Sequence, residues 1–163
     1  EGSSEKVAND YIQLFNADAN HDPDKPANRW GDLNMTLENV QISANTKEIT
    51  VSYFAEAHAD IKDPIFGIII KDLDNHHLFD SNTKWKKHKT GTLKVGEKRN
   101  IKWEVPNVLK SGRYRLTVAA AHEDGFGFYD WQENVKTFDV SRPEETAGFM
   151  VLADTVTIKD SRS

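Results

Sequence analysis

The order of apolar and polar residues predicts an all-β fold, an antiparallel β-sandwich. From Trp30 onward, apolar residues recur at every second position, which is the period of a half-buried strand. About seven to nine such segments follow one another, separated by turn sequences at intervals of roughly 8–12 residues. The composition, 37% hydrophobic and 29% charged over 163 residues, is that of a folded domain and not of a disordered chain.

The first 27 residues are predicted to be a helical tether and linker, separate from the sandwich at residues 28–163. Ser3 or Ser4 can cap a helix. Apolar residues then recur every three or four positions, at Val7, Tyr11, Leu14 and Phe15. Residues 16–28 contain two prolines and four Asp or His residues, a composition typical of linkers.

The first half of the sandwich begins with a strand around Leu37 and Ile42, followed by a turn at residues 45–47. Alternation then resumes from Ile49 to Ala57. Residues 64–73 are apolar almost throughout, which is typical of a strand covered on both faces. A turn at residues 72–75 leads into the returning strand at residues 77–83.

The second half contains a strand that ends at Pro106 and another after the turn at Ser111 and Gly112. In that second strand one side of the alternation is apolar and is predicted to face inward, at Tyr114, Leu116 and Val118. The opposite side is predicted to face outward, at Arg113, Arg115, Thr117, Ala119 and Ala121. Residues 125–131 are interpreted as an aromatic loop, residues 138–140 as a strand, and residues 149–158 as the last one or two strands.

Composition and missing motifs exclude several classes of function. The net charge of −5 argues against a nucleic-acid binder, and the absence of cysteine excludes disulfides and thiolate sites. There is no phosphate-binding glycine loop and no nucleophile elbow. His76 and His77 are adjacent and so point to opposite faces of a strand, and the acidic residues around Asp72 lack the glycine and the glutamate of a calcium loop. We therefore expect neither an enzyme nor a metal or other cofactor, although a carboxylate pair for glycoside cleavage is a tertiary property.

Aromatic residues in polar or glycine-flanked segments indicate sugar binding as a possible function. A flat ring covers the apolar face of a pyranose while nearby polar side chains hold its hydroxyl groups. The residues concerned are Trp85, Phe126, Phe128, Tyr129 and Trp131. The alternative interpretation is that these rings close one end of the sandwich. Trp103, Tyr114 and Phe138 are in phase with aliphatic positions and are predicted to pack in the core.

Several segments in fixed order resemble the C-terminal domain of Wzt-type ATPase subunits, which belong to ABC transporters that export O-antigen and related cell-surface polysaccharides. The matching segments are residues 29–32, 64–72, 79–83, 111–118, 129–135 and 138–140. The resemblance covers about residues 28–158. Asp74 and Asn75 stand where a glycine turn is usual in the family, and Asn tolerates the left-handed backbone of such a turn.

The resemblance implies an immunoglobulin-like sandwich that binds the finished polysaccharide, often at a modified non-reducing end. It implies an ATPase domain upstream, so that ATP is expected only there and residues 3–15 are its trailing helix. The implied partners are the glycan, a membrane-spanning transporter subunit and a second copy bound by exchange of the C-terminal strand. The implied location is the cytoplasm, at the inner face of the plasma membrane.

The predicted ligand site is an outward sheet face completed by the loop around Trp85. Outward alanines leave a shallow floor, and the basic residues 84–89 around the indole can grip an anionic sugar or a phosphate cap. The residues predicted to bind carbohydrate are Phe54, His58, Lys71, Trp85, Arg113, Arg115, Tyr129 and Trp131. The rival hypotheses are a structural or adhesive sandwich without a glycan ligand and, ranked lower, a glycosidase domain.

Overall fold

The computed structural model describes residues 28–160, which form an all-β structure as predicted. The strands are β1 (Arg29–Trp30), β2 (Met35–Ala44), β3 (Glu48–Ala57), β4 (Ile61–Lys62), β5 (Ile65–Asp72), β6 (His77–Asn82), β7 (Thr92–Leu93), β8 (Lys98–Pro106), β9 (Gly112–Ala121) and β10 (Phe128–Val140). The helix predicted at residues 3–15 lies outside the described residues. Within residues 28–160, no helix is long and apolar enough to cross a membrane.

The strands form two antiparallel sheets of unequal width. The wider sheet has the order β1-β10-β9-β5-β6, and the narrower one has the order β2-β3-β8. The short strands β4 and β7 pair with each other. The wider sheet has five strands and the narrower sheet has three, so the narrower sheet cannot cover the full width of the wider sheet.

The main core lies between the two sheets and is built from the alternating apolar positions. The predicted inward residues Tyr114, Leu116 and Val118 are buried, and so are Ile49, Val51 and Tyr53 on the facing sheet. Tyr114 and Phe138 pack in this core as predicted, with ring centroids 5.7 Å apart. Burial raises the pKa of the Tyr53 hydroxyl, which accepts a hydrogen bond from the indole nitrogen of Trp103 at 3.1 Å.

The wider sheet carries a second buried cluster on its outward face. We call this set the outer apolar face; its members are Ile65, Ile69, Ala119, Ala121, Phe128 and Trp131. Ile65 and Ile69 alternate along β5 with Phe66, Ile68 and Ile70, which belong to the main core. The continuous apolar run of β5 is thus explained, because this strand is covered on both faces as predicted.

A buried carboxylate joins β10 to β1 and to β2 of the opposite sheet. Asp130 is 0% exposed and accepts hydrogen bonds from Arg29 Nε at 2.9 Å and Nη2 at 2.7 Å. It also accepts bonds from the backbone of Leu37 at 2.7 Å and from Gln132 Nε2 at 3.0 Å. The hydrogen bonds between Arg29 and Asp130 raise the pKa of the Arg29 guanidinium. Asp130 therefore ties the first short strand to both sheets.

Two predicted elements are wrong. The aromatic loop is shorter than expected, because β10 begins at Phe128 and includes Tyr129 and Trp131. Residues 149–158 form no strand: Met150 makes one isolated bridge to Leu109, and Val156 and Ile158 are exposed. Their alternation is suited to a strand, but no sheet edge of the described chain pairs with them.

Candidate functional site

A groove lies between β8, an edge strand of the narrower sheet, and the loop that follows β6, an edge strand of the wider sheet. It has a volume of about 340 Å³, within the range of roughly 300–1,000 Å³ typical of small-molecule sites. Its lining residues come from β5, from the loop after β6 and from β8: Phe66, Thr83, Lys86, His88, Lys89, Thr90, Arg99, Asn100, Ile101, Lys102 and Trp103. The groove thus has an aromatic wall and a polar rim.

The loop that supplies the basic residues is held by Asn82 and Thr83. Asn82 Oδ1 accepts a hydrogen bond from the backbone of Trp85 at 2.9 Å. Thr83 donates its backbone N–H to the carbonyl of Phe66 at 2.9 Å and accepts, at Oγ1, the N–H of Phe66 at 3.1 Å. The Thr83 carbonyl accepts the N–H of His88 at 2.9 Å. These bonds confirm the structural role predicted for Asn82 and Thr83, and they fix the loop beside the groove.

Arg99 and Trp103 form the β8 wall of the groove. The Arg99 guanidinium donates hydrogen bonds to the carbonyls of Thr90 and Thr92, which attaches the end of the basic loop to β8. The Trp103 indole is partly buried and is oriented by its bond to Tyr53. Both side chains are therefore positioned by the fold and need no rearrangement to line the groove.

The groove is positively charged although the chain carries a net charge of −5. None of the described residues that line it is Asp or Glu. The four lysines of the loop form no ion pair with any described residue: Lys84, Lys86, Lys87 and Lys89. On the β8 side, Lys102 is paired with Glu104 at 2.9 Å, and this bond raises the pKa of Lys102. The unpaired lysines create a local field that favours an anionic group.

The single outward face predicted from the sequence is wrong. Phe54 lies on β3 of the narrower sheet, 40% exposed, and His58 follows that strand. Lys71, Arg113 and Arg115 lie on β5 and β9 of the wider sheet. Since the sheets pack through their inward faces, their outward faces point in opposite directions, and the two groups of residues do not form one surface.

Several predicted site residues are already engaged within the protein. Lys71 is 2% exposed, and its Nζ lies 2.6 Å from Glu133 Oε1. Arg113 is paired with Asp139 at 2.8 Å. Trp131 is 1% exposed and donates its indole N–H to Glu133 Oε2 at 2.7 Å. These contacts give the three residues structural roles.

The remaining predicted residues are dispersed. Trp85 belongs to the basic loop and packs against the outer apolar face. Tyr129 lies with its ring centroid 4.2 Å from that of His122 and does not line the groove, and burial raises the pKa of its hydroxyl. His58 Nε2 lies 2.8 Å from Thr36 Oγ1. Arg115 on β9 lies opposite Lys71 in the backbone pairing of β9 with β5. Of the predicted set, Trp85 is the residue whose loop lines the groove.

Sequence reasoning missed the contribution of β8 to the site. Arg99, Lys102 and Trp103 approach the basic loop because β6 and β8 are the edges of different sheets, and strand order is not readable from periodicity. The available signal was the concentration of cationic residues in two segments, 84–89 and 98–102, of an acidic chain.

Two groups of side chains have metal-ligand chemistry. Glu38, Glu56 and His58 present ligand atoms within 4.8 Å of one another. A second group consists of Asp72, Asp74 and His76, in which Asp72 Oδ2 lies 2.7 Å from His76 Nδ1. Both groups are exposed on the surface, and contacts within the protein already engage them.

The fold and the groove define a small all-β domain with a preformed hollow beside β8. The chain belongs to the family of the Wzt C-terminal domain, whose model matches residues 26–152. The chain is similar to a solved structure described as the C-terminal domain of Wzt, with 18% identity, 85% coverage of this chain, 91% coverage of that chain and a TM-score of 0.73. It also resembles part of beta-glucosidase 3B from Thermotoga neapolitana in complex with glucose, with 14% identity and a TM-score of 0.48, over 80% of this chain and 19% of that one. No curated protein sequence matches the chain.

Membership of this family defines the domain as a polysaccharide-binding module associated with an ABC transporter. It is the part of the transporter subunit that is distinct from the ATPase. The likeness to the solved Wzt domain confirms the predicted β-sandwich.

Proposed function

We propose that the domain binds the non-reducing end of an exported bacterial polysaccharide, such as an O-antigen, in the groove between β8 and the loop after β6. The observation that supports this proposal is a preformed hollow with the partly buried Trp103 as its aromatic wall, the buried Phe66 at its base, and a rim of hydroxyl, amide and cationic groups. The indole suits the apolar face of a sugar, and Thr83, Thr90 and Asn100 offer donors and acceptors to its hydroxyl groups.

The basic loop extends the proposal to a modified end of the polysaccharide. Lys86, His88 and Lys89 face the groove from one side. A carboxylate or phosphate on the terminal sugar would find unpaired ammonium groups there, whereas the unmodified interior of a neutral chain would not. The proposed recognition is therefore selective for an end that carries negative charge.

Calorimetry with matched lysine variants tests this site. Lys86→Gln and Lys89→Gln are each expected to weaken binding of an anionically capped oligosaccharide by about tenfold, because each removes a charge-assisted hydrogen bond. Lys136→Gln is the control, since Lys136 is an exposed lysine on β10, away from the groove. Equal affinity in all three variants would contradict the site.

Two further measurements separate the proposal from its rivals. A glycan array of capped and uncapped repeats distinguishes a binding module from a structural or adhesive sandwich, which would bind none of them. Incubation with the bound glycan is expected to release no new reducing ends, because the proposed domain is not an enzyme and needs no cofactor. Release of reducing ends would identify a glycosidase instead.

We also propose a homodimer formed by exchange of the C-terminal segment. Phe149 and Met150 line an apolar cavity of about 580 Å³ beside Ile70, Leu78 and Val105. Residues 152–158 are exposed and belong to no strand of the described chain, so a neighbouring copy can accept them as a strand. Light scattering is expected to give a dimer for the full chain and a monomer after truncation at Pro143. A monomeric full chain at high micromolar concentration would contradict the exchange.

In the proposed arrangement, residues 1–27 connect the sandwich to an upstream ATPase domain at the cytoplasmic face of the inner membrane. ATP would be bound by that domain, and the membrane-spanning subunit would be contacted through the full-length protein. The sandwich itself would present the polysaccharide and would bind no nucleic acid. Co-purification of the full-length protein with its transporter, with and without residues 28–163, tests this assignment.

A further inference from the structure

Two further hollows adjoin the groove, at the end of the sandwich that carries the loops after β6 and β9. The second hollow has a volume of about 270 Å³ and shares four lining residues with the groove: Thr83, His88, Lys89 and Thr90. The third hollow has a volume of about 480 Å³ and shares Glu123 with the second. We call the groove and these two hollows, taken in this order, the track. The track extends from β8 to the loop between β9 and β10.

The basic loop, residues 84–89, stands between the groove and the second hollow. Phe66 lines the groove, and Ile65, the residue before it on β5, lines the second hollow. Successive residues of a strand point to opposite faces, so the two hollows lie on opposite sides of β5 and of the basic loop. His88 and Lys89 are exposed and line both hollows. A chain that crosses the loop at these two residues therefore remains in contact with the protein.

The charge of the lining changes along the track. None of the described residues that line the groove is acidic. The second hollow adds the carboxylates of Asp63 and Glu123 to the lysines of the loop. In the third hollow the described lining carries two carboxylates, Glu123 and Asp124, and a single lysine, Lys62, whose Nζ lies 3.7 Å from Glu123 Oε1. An anionic group is therefore favoured in the groove and disfavoured at the far end of the track.

The third hollow combines an aromatic ring with hydrogen-bond acceptors. Tyr129 lines this hollow, and its ring packs on the ring of His122 with 4.2 Å between the centroids. His122 Nε2 lies 2.8 Å from Asp32 Oδ2, so the ring pair is attached to the loop between β1 and β2. The carboxylates of Glu123 and Asp124 can accept hydrogen bonds from hydroxyl groups. A partly buried ring beside such acceptors suits a neutral sugar.

We propose that the track binds several consecutive sugars of the polysaccharide, with the anionic end in the groove and the following neutral sugars in the second and third hollows. This inference rests on the proposed function and adds the length and the direction of the bound chain. The direction follows from the charge, because the reverse orientation would place the anionic end beside Glu123 and Asp124. Tyr129, which the sequence predicts to bind carbohydrate, contacts a sugar at the far end of the track.

Calorimetry of the full chain with fragments of increasing length tests the track. The probe is the capped fragment that binds most tightly in the glycan array, prepared with one, two, three and four sugars. The four-sugar fragment is expected to bind at least about tenfold more tightly than the one-sugar fragment, because its additional sugars form hydrogen bonds and a ring contact beyond the groove. A smaller gain, or none, would overturn the track but leave the groove as the site of the capped end. If no capped fragment in the array binds, the proposed function and the track both fail.

A pair of glutamate variants tests where the additional sugars lie. Glu123→Ala removes an exposed acceptor that the second and third hollows share. At roughly 0.15 M salt, which screens the long-range effect of the lost charge, it is expected to weaken binding of the four-sugar fragment by about fivefold and to leave the one-sugar fragment unchanged. Glu145→Ala is the matched control, because Glu145 is exposed and lines none of the three hollows.

The two fragments separate the outcomes for Glu123→Ala. No loss of affinity for the four-sugar fragment, or an equal loss for both fragments, would refute the track. Tighter binding of the four-sugar fragment would mean that the anionic end lies beside Glu123, and it would refute the proposed direction.

Discussion

Replacing Asp130 by Asn tests whether the buried carboxylate stabilises the junction of β1, β2 and β10. Asp130 accepts four hydrogen bonds, two of them from the Arg29 guanidinium. Asn has one acceptor oxygen. If that oxygen takes the place of Oδ2, the amide nitrogen faces Arg29 Nε, which is also a donor. The variant therefore loses an ion pair and gains a donor–donor contact.

The expected cost can be estimated from the burial of the two partners. Breaking a buried ion pair by changing one partner costs about 3–5 kcal/mol. Asp130 is fully buried, but the Arg29 side chain is 42% exposed and remains hydrated after the change. The lower end of the range applies, about 3 kcal/mol, which corresponds to a decrease in Tm of roughly 10 °C for a domain of this size.

The assay is equilibrium unfolding in urea followed by tryptophan fluorescence. Asp139→Asn is the matched control, because Asp139 also pairs with an arginine on a neighbouring strand, Arg113 at 2.8 Å, but both partners are exposed. Hydrogen bonding to Arg113 lowers the pKa of Asp139, yet solvent screens the pair and we expect no measurable loss of stability. A loss below about 1 kcal/mol for Asp130→Asn, or equal losses in the two variants, would refute the reasoning.

Three further predictions concern burial and backbone conformation. Glu133→Gln is expected to lower the free energy of unfolding by about 3 kcal/mol, because it leaves the Lys71 ammonium buried without a counter-charge. Lys71→Met should lower the free energy of unfolding by less, because it removes the buried charge itself. A larger loss for Lys71→Met than for Glu133→Gln in urea unfolding would contradict this. Gly31→Ala should disturb the pairing of β1 with β10, since the added Cβ would clash with the carbonyl oxygen of Tyr129 and Gly31 has a φ of +132°. We expect the Tm of this variant to be at least about 10 °C lower. Gly96→Ala is the control and should lower the Tm much less, because its Cβ would meet no neighbouring atom. Burial raises the pKa of the Asp80 carboxyl, so its folded-state pKa lies above the unfolded value and its charge opposes folding at neutral pH. Asp80→Asn should therefore raise the Tm at pH 7 and lose this advantage at about pH 3, where the carboxyl is protonated in both states; an advantage that is the same at both pH values would be inconsistent with a titrating carboxyl.

The fold could be predicted from the sequence because the signal for each strand is local. Alternation at residues 49–57 and 113–121 gives both the strand and its inward side, and the continuous apolar run at 65–70 gives a strand covered on both faces. The strand predicted at residues 149–158 was wrong, because alternation reports suitability for a sheet and not the presence of a free edge to join.

The candidate site was harder to predict because it depends on strand order. Phe54 and Arg115 have similar outward positions in their own strands, but their strands belong to different sheets. Trp131 was interpreted as a loop residue because of the glycines before it, and the structure places it in a strand, buried under Trp30. The basic loop around Trp85 was correctly recognised as a unit, since its lysines are adjacent in sequence.

The position of β1 has a mechanical consequence. The chain joins the wider sheet at β1, and the groove lies beyond β6 at the opposite edge. A pulling force between the N-terminal end and a polymer held in the groove reaches the β8 wall through the chain from β1 into β2 and the narrower sheet, and it reaches the wider sheet through the ladder of β1 with β10. That ladder has two residue pairs. The Arg29–Asp130 pair and the stacked rings of Trp30 and Trp131 span the same junction, so side-chain contacts add to the few backbone bonds that hold β1 to the wider sheet under load.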